Sequence, residues 1–471
     1  MIELFFMQKT VQTNKMAVMP IPTLLISMGA PMMLSMLTQA FYNVVDTFFV
    51  SHIPDTAAVS HMGDKAINAL TLAFPIQMLI TCLGVGTGVG TGAALAMYFG
   101  RGDRERADKT AGNATLITFC YYAAILLFGI FGAHAFIHSQ TTDPVIAKLG
   151  VTYLRIISVL SFGCLGFMSL EKKVLAMGRA RLGMTGQLLG ALTNIILDPV
   201  LIYGKGPFPV MGVAGAAYAT VIGQFLSLIF TAYFYFSDSS FIDHGLQYLK
   251  PDAQIIRRIY QVGLPAVIMQ ALTSVMSYGM NLILVAISES AVTAFGLYFK
   301  LQSFIFMPAF GMSNGIVPTM SYNYGARNRQ RIADCIKYGL LYIGAIMLAG
   351  MILIHLFAPN IVSVFSLTAE SKRLSILALK TASLGFLFAA VGIVLSGVCQ
   401  AFGNGTYSLI FSCVRLLVVV LPLAYYLSRL DNGVDLVWRA FPVADFVSML
   451  VAIILARKLY IKRVSEWEPA S

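Results

Sequence analysis

The chain has 471 residues, of which 58% are hydrophobic and 11% charged, and its formal net charge is +11. Soluble domains carry about 25% charged residues, so the composition excludes a soluble protein and indicates a polytopic membrane protein. The positive charge could suggest a nucleic-acid partner. However, the basic residues cluster in alternate loops between apolar runs, so we expect the lipid bilayer and no nucleic acid.

Twelve apolar runs, taken in chain order, define the predicted elements. Each is long enough to cross about 30 Å of hydrocarbon as a helix. Little sequence remains for a soluble domain, so we predict an all-α membrane protein with twelve transmembrane helices, called spans 1 to 12. Their bounds are 20–51, 66–97, 112–135, 145–171, 180–203, 211–236, 258–286, 290–319, 336–358, 374–400, 405–428 and 438–460.

The loops between the spans alternate in basic content. Arg104 and Arg106 follow span 2, and Arg329 and Arg331 follow span 8, whereas the intervening loops carry fewer basic residues. Cytoplasmic loops are the ones that carry an excess of Lys and Arg. We therefore predict that both termini are cytoplasmic.

The second half of the sequence nearly repeats the first. The sequence shift that carries Gly86 onto Gly311 also matches Gly90 with Gly315, Arg104 with Arg329, and Gly178 with Gly403. Each half holds six spans, so both halves enter the membrane from the same side, as in a parallel repeat. We predict two pseudo-symmetric six-helix lobes, 1–240 and 241–471, with 237–257 as a cytoplasmic linker. This architecture is typical of transporters, although a membrane scaffold could also be duplicated.

Span 1 contains an acid in an apolar run. A charged Asp at the centre of a membrane helix costs roughly 2.5–3.5 kcal/mol, so Asp46 is a candidate functional residue. Tyr42 lies one helical turn before it and Gln39 one turn earlier, which places a polar stripe on one face. Pro31 lies in the same span and should bend it. A bend that changes with protonation would be a switch, and a static kink is the alternative.

Span 5 contains a second such acid, Asp198. Asn194 precedes it by four residues and shares its face. In span 6, Thr220 and Gln224 share a face at a compatible depth. Spans 1 and 5 both run outward, and both acids lie near the outer ends, so they can face each other.

Carboxylate, amide and hydroxyl oxygens suit a small hard cation or a proton. Two close carboxylates in a low dielectric cannot easily both stay ionised, so the pair should bind one proton or one sodium ion. The alternative is structural, with each Asp capping a kinked helix or bonding a hydroxyl. The six cysteines are scattered and predict no disulfide framework, and we expect no metal site beyond Na⁺.

Further polar residues are candidates for cavity or substrate contact. Glu171 lies near the cytoplasmic end of span 4, where reaching the interface is the alternative to substrate contact. Gln270 lies in span 7. Lys300, deep in span 8, would face a water-filled cavity and attract anionic groups. Arg415 and Asp445 lie at similar depths in spans 11 and 12, and we predict that they form a structural ion pair.

These features together resemble the multidrug and toxic compound extrusion (MATE) family over nearly the whole chain, most closely its DinF-type prokaryotic branch. The resemblance depends on Pro31 and Asp46 in span 1 and on several motifs, which are the loop 100–106, the segment 178–181, NIILDP at 194–199, GAAYAT at 215–220 and YGARNRQR at 324–331.

The resemblance implies a V-shaped fold with the cation site in the N-terminal lobe. By resemblance, Tyr42, Asp46, Asn194, Asp198 and Thr220 fall on that site, and Pro31 on the proline where helix 1 bends. The other large branch keeps acids in helices 7 and 10. Here span 7 offers only Gln270 and span 10 has no acid, which argues against a second cation site.

We therefore expect a cation-coupled antiporter of the bacterial inner membrane. It would exchange inward-moving H⁺ or Na⁺ for an outward-moving amphiphilic organic compound, as a monomer without a cofactor. The alternative is a flippase of a lipid-linked anionic precursor in the same superfamily, which Lys300 and Arg415 would suit. We expect neither a channel nor a receptor, because the sequence shows no repeated filter-like loop and no soluble sensing domain. No catalytic or phosphate-binding motif suggests an enzyme or direct ATP coupling.

Overall fold

The structure is a computed structural model, and it describes residues 14–55, 61–237, 241–365, 367–465 and 467. This part of the chain is helical, with no strand in it. Within it, ten helices are long and apolar enough to cross a membrane, and the number rises to twelve when each of two bent helix pairs counts as one span. The prediction of an all-α membrane protein is confirmed, and the predicted number of twelve spans is reached when each bent pair counts as one.

The chain divides into two compact units. The first comprises Met1–Met19 with Ser35–Ile259, and the second comprises Pro20–Leu34 with Tyr260–Ser471. The boundaries after Leu34 and after Ile259 fall inside continuous helices and not in loops. The lobes predicted at 1–240 and 241–471 and the linker at 237–257 stay predictions.

We number the long helices α1 to α12 after the predicted spans. The first six are α1 (Ile21–Ser51), α2 (Met62–Arg101), α3 (Arg104–Leu127, continued by a π-helical turn Phe128–Gly132 and by Ala133–His138), α4a (Pro144–Val159) with α4b (Phe162–Ala176), α5 (Ala180–Tyr203) and α6 (Val213–Phe236). Two short helices, Lys15–Val18 and Leu246–Leu249, precede α1 and follow α6.

The second six helices follow in the same order. They are α7 (Ala253–Val285), α8 (Glu289–Gly325), α9 (Arg329–Ser363), α10a (Ala369–Ser383) with α10b (Phe386–Ala401), α11 (Gly405–Cys413, the π-helical segment Val414–Val419 and Val420–Ser428) and α12 (Ala440–Tyr460, preceded by Gly433–Leu436 and Val437–Arg439 and continued by a π-helical turn Ile461–Ser465).

The repeat recurs in the helix boundaries. Three pairs of helices begin at positions that the repeat matches, which are Arg104 and Arg329, Pro144 and Ala369, and Ala180 and Gly405. The N-caps repeat as well, because the side chains of Asp103 and Asn328 each accept a bond from the backbone N–H three residues on. Such caps satisfy N–H groups that a helix start leaves free. The two halves thus share local signals for starting the same helices.

The bends repeat too. The axis turns by 43° between α4a and α4b, and by 50° between α10a and α10b. Each broken helix is then followed by a glycine with positive φ, 84° at Gly178 and 74° at Gly403. A residue with a side chain rarely adopts this conformation, so glycine is required where the chain turns into α5 and α11.

In the second unit, the segment Pro20–Leu34 of α1 packs closely on α8. A Cβ placed on Gly315 would lie 2.6 Å from the backbone nitrogen of Gly29, and one placed on Gly311 would lie 2.6 Å from the Cα of Met33. Small residues allow such backbone approach between membrane helices. This part of α1 is therefore part of the packed interior of the second unit.

In the first unit, the segment after α6 is bonded to α3. The Asn113 side chain accepts from the backbone N–H of Asp252 at 2.8 Å and donates to the carbonyl of Lys250 at 3.2 Å. The Asp108 carboxylate accepts from the backbone N–H of Asp243 at 2.9 Å. Residues 241–252 are thus held against the first unit by buried side chains.

Candidate functional site

Three of the predicted site residues meet where α5 packs on α6. The Asn194 amide nitrogen donates to Asp198 Oδ1 at 3.2 Å and to Thr220 Oγ1 at 3.3 Å. Asn194 and Asp198 are one turn apart on α5, and Thr220 faces them from α6. Glycines bring these helices together, since a Cβ on Gly190 would lie 2.7 Å from the Gly223 carbonyl oxygen.

Helix α1 brings the second acid to the same place. Asp46 interacts electrostatically with Asp198, and Tyr42 interacts with both carboxylates. The C-terminal ends of the two helices are joined because the Tyr203 hydroxyl on α5 donates to the Phe49 carbonyl on α1 at 2.8 Å. The structure therefore brings together all five residues of the predicted site, Tyr42, Asp46, Asn194, Asp198 and Thr220.

The site contains buried oxygens without donors. Asp198 is 0% exposed and Asn194 is 3% exposed. Among the described residues, no hydrogen bond reaches Asp198 Oδ2, Asn194 Oδ1 or Asp46 Oδ1, although all three atoms are buried. A buried acceptor without a partner costs about 1–3 kcal/mol, and more when it is charged. A proton or a hard cation would satisfy these oxygens.

Two residues near the acids were missed by the sequence reasoning. Tyr153 on α4a is 2% exposed. It interacts electrostatically with Asp46, Tyr42 and Asp198, and its hydroxyl lies near the Gln77 side chain of α2. Gln77 is a polar residue inside span 2, which was the available signal. A tyrosine in an apolar span gives no such signal.

The other candidates on α1 and α6 lie apart from these bonds. Gln39 and Gln224 are half-buried. Among the described residues, no hydrogen bond joins either one to Asp46 or Asp198. Pro31 lies inside α1, on the part of that helix that belongs to the second unit.

The Glu171 side chain is buried among its neighbours and does not extend from the protein surface. It is 8% exposed, and its carboxylate lies 3.2 Å from Lys172 Nζ. Lys172 fits because α2 has a glycine opposite it, where a Cβ on Gly88 would lie 2.7 Å from Lys172 Cγ. Its neighbour Lys173 is 1% exposed and donates to Thr115 Oγ1 at 2.6 Å. Substrate contact by Glu171 stays a prediction.

The second unit holds the remaining candidates. Gln270 on α7 is half-buried, and Lys300 on α8 is exposed. The Arg415 Nε donates to Asp445 Oδ1, and the two side chains form an ion pair between α11 and α12. In the described part of the chain, no group of three or more His, Cys, Asp or Glu residues could hold a metal ion, and all six cysteines are free.

Comparisons with known proteins agree with this architecture. The family described as MatE matches residues 31–200 and 265–426, which is more than half of the chain. The multidrug export protein MepA of Staphylococcus aureus (strain MRSA252) is 25% identical over 442 residues, covering 93% of this chain and 93% of that protein.

Solved structures are similar over almost the full length. One, described as the outward-facing conformation of a multidrug resistance MATE family transporter of the MOP superfamily, has a TM-score of 0.89 and 26% identity, covering 98% of this chain and 100% of that chain. A MATE in complex with MaD3S has a TM-score of 0.88 at the same identity and coverage. The predicted resemblance, fold class and non-enzymatic nature are confirmed, and this chain belongs to the MatE (multidrug and toxic compound extrusion) family of membrane transporters.

Proposed function

We propose that this protein is a cation-coupled antiporter that exports amphiphilic organic compounds across the bacterial inner membrane. The observation that carries the proposal is the set of buried oxygens without donors on Asp46, Asn194 and Asp198. A site that only stabilised the fold would be expected to satisfy these atoms internally. A transporter needs a site that binds and releases a cation in each cycle.

The substrate class rests on the relatives. The similar protein from Staphylococcus aureus is called a multidrug export protein. We extend that substrate class to this chain and propose that it acts as a monomer. We also propose that both termini are cytoplasmic, as the positive-inside loops predict.

Coupling follows from linkage between the two ligands. In the outward-open state, Asp46 and Asp198 bind H⁺ or Na⁺, and this binding weakens the affinity for substrate, which leaves outward. The cation is then released inward. One charge moving down 100 mV releases about 2.3 kcal/mol, enough for a substrate gradient of a little under two decades. Pro31 would allow α1 to bend between the two states.

The test is efflux from proteoliposomes with either an imposed pH gradient or an imposed sodium gradient. Cationic and anionic dyes serve as substrates. We expect Asp46→Asn and Asp198→Asn each to abolish gradient-driven efflux, because the amide carries no charge to exchange for a cation. Asp64→Asn is the matched control, since Asp64 is 80% exposed. Full efflux by both site variants would refute the proposal, and the two gradients separate H⁺ from Na⁺ coupling.

A lipid-flippase function is the second candidate. Lys300 favours it, because it is an exposed cation on a membrane helix. Arg415 favours it less than the sequence suggested, because Asp445 already neutralises its charge. In the same proteoliposomes, movement of an anionic lipid probe that Lys300→Met abolishes, with no dye efflux, would favour the flippase.

A further inference from the structure

The repeat gives each residue of the cation site a counterpart in the second unit. The shift that matches Arg104 with Arg329 pairs Thr220 of α6 with Asp445 of α12. It also pairs Asn194 with Val419 and Asp198 with Leu423, and the helices that carry them, α5 and α11, begin at matched positions.

The counterpart of Asp46 follows from the slightly longer shift near the start of each half. That shift matches Gly29 with Gly263 and pairs Asp46 with Met280. The second unit thus has one acid at these positions, and that acid stands at the counterpart of Thr220 and not at the counterpart of Asp46 or Asp198.

Asp445 is buried and its partner comes from the next helix. The residue is 4% exposed, and its Oδ1 accepts from Arg415 Nε. The guanidinium also lies over the ring of Phe306, 5.4 Å from its centroid. Tyr298 is fully buried and interacts electrostatically with both members of the pair. The carboxylate packs against Gly385 at the bend between α10a and α10b, where a Cβ would collide with it.

Arg415 stands where the first unit has no side chain at all. Its counterpart is Gly190, which lets α5 approach α6 backbone to backbone. Arg415 also belongs to the π-helical segment Val414–Val419, and α5 has no such segment. A π-helical turn inserts a residue into a helix and is frequent at functional sites. The first unit therefore leaves acid oxygens without donors, and the second unit supplies a guanidinium.

We propose that Arg415 is a tethered cation in the second unit's counterpart of the coupling site, so that Asp445 takes up no mobile cation and the number of ions per transport cycle is set by the first unit alone. The proposal rests on the proposed coupling role of Asp46 and Asp198. It makes Arg415 a residue that determines coupling stoichiometry and not only a structural lock between α11 and α12.

The charge balance around Asp445 supports this role. Arg415 is the only charged residue of α11, and α10b has none. On α10a the nearest charge is Lys380, five residues before Gly385. Further positive charges on the neighbouring helices include Lys300 on α8, Arg439 just before α12 and Arg457 on α12, and all three side chains are exposed. Removal of one partner of a buried ion pair leaves the other charge uncompensated, and this is strongly unfavourable. Without Arg415, the Asp445 carboxylate would therefore bind a proton or a sodium ion.

Equilibrium binding to the purified full-length protein tests the proposal. Bound protons are counted by potentiometric titration between about pH 5 and 9, a range that covers buried carboxyl groups, and bound ²²Na⁺ is counted by dialysis. We expect Arg415→Met to bind one more cation per chain than the double variant Arg415→Met/Asp445→Asn. The wild type and Arg415→Lys, which keep the positive charge, should bind no more than Asp445→Asn.

Two results would overturn the proposal. One is equal binding by Arg415→Met and the double variant. The other refuting result is that the wild-type protein binds one cation more than Asp445→Asn. This second comparison tests the proposal even if Arg415→Met does not fold. Neither count depends on efflux. Failure of the first-unit coupling would appear instead as unimpaired efflux by Asp46→Asn, so the two proposals fail in distinguishable ways.

Discussion

Gly223 on α6 packs directly against the backbone of Gly190 on α5. A Cβ placed on Gly223 would lie 2.5 Å from the Gly190 carbonyl oxygen and 3.5 Å from the Cβ of Asn194. The nearest obstacle is backbone, which cannot rotate away. The spacing of α5 and α6 therefore depends on these two glycines, one turn from the bond between Asn194 and Thr220.

Gly223→Ala should separate the two helices and weaken both stability and coupling. Overpacking of this kind costs about 1–3 kcal/mol. We expect a lower midpoint of thermal unfolding in detergent and strongly reduced gradient-driven efflux. Gly392→Ala on α10b is the matched control, because nothing lies within 4 Å of a Cβ there. If Gly223→Ala behaved like Gly392→Ala, the packing argument would be wrong.

The hydroxyl of Thr220 should contribute to cation affinity by orienting Asn194. Thr220→Val removes the acceptor of the 3.3 Å bond from the Asn194 amide and keeps the side-chain shape. A hydrogen bond of this type contributes about 0.5–1.5 kcal/mol, so we expect a cation affinity about 2- to 10-fold weaker. The measured quantity is the size of the cation gradient that gives half-maximal efflux. Thr220→Ser keeps the hydroxyl and should stay close to the wild type, and equal losses in both variants would contradict the role of the bond.

Tyr153 should affect coupling through its hydroxyl. Tyr153→Phe keeps the buried ring but removes the hydroxyl that lies near Gln77 and the two acids. We expect unchanged protein yield, a shifted dependence of efflux on the cation gradient, and a similar shift in Gln77→Leu. Tyr278→Phe is the control, since Tyr278 is 68% exposed. An unshifted dependence in Tyr153→Phe would remove this residue from the site.

Asp143 should stabilise the first unit in a pH-dependent way. A hydrogen bond from Lys65 and bonds from the backbone N–H groups of Ile146 and Val145 hold the pKa of its carboxyl below the usual value. A carboxyl whose pKa is lower in the folded state stabilises it above the unfolded pKa of about 4, and the contribution is lost as the pH falls through the folded pKa.

Asp143→Asn keeps the helix cap and loses the ion pair with Lys65, 2.9 Å away. We expect the unfolding midpoint of the variant to lie slightly below that of the wild type at pH 7 and to converge with it below about pH 4. In Lys65→Met, replacement of Asp143 should have a smaller effect, because only the bonds from the backbone N–H groups of Val145 and Ile146 to the charged carboxylate remain to be weakened. A midpoint difference that stays constant down to pH 3 would exclude the ion pair as its cause.

The elements of the fold could be predicted more fully than the site. Long apolar runs specify the spans, and the matched caps Asp103 and Asn328 specify where repeated helices begin. Asp46 and Asp198 could be found because an acid in an apolar run is costly. Tyr153 could not, because tyrosine is ordinary in such a run. The burial of Glu171 depends on its ion pair with Lys172 and on its packing against Gly183 of α5. The sequence of one span does not specify contacts between helices.

The division of α1 between the two units has a practical consequence for expressing half-length chains. A polypeptide starting at residue 241 contains every helix from α7 to α12 but lacks Pro20–Leu34. The α8 faces at Gly311 and Gly315, which in the whole chain contact Met33 and Gly29, would then be uncovered. The C-terminal half should therefore be expressed together with the segment Pro20–Leu34 of α1, for example as a separate co-expressed peptide.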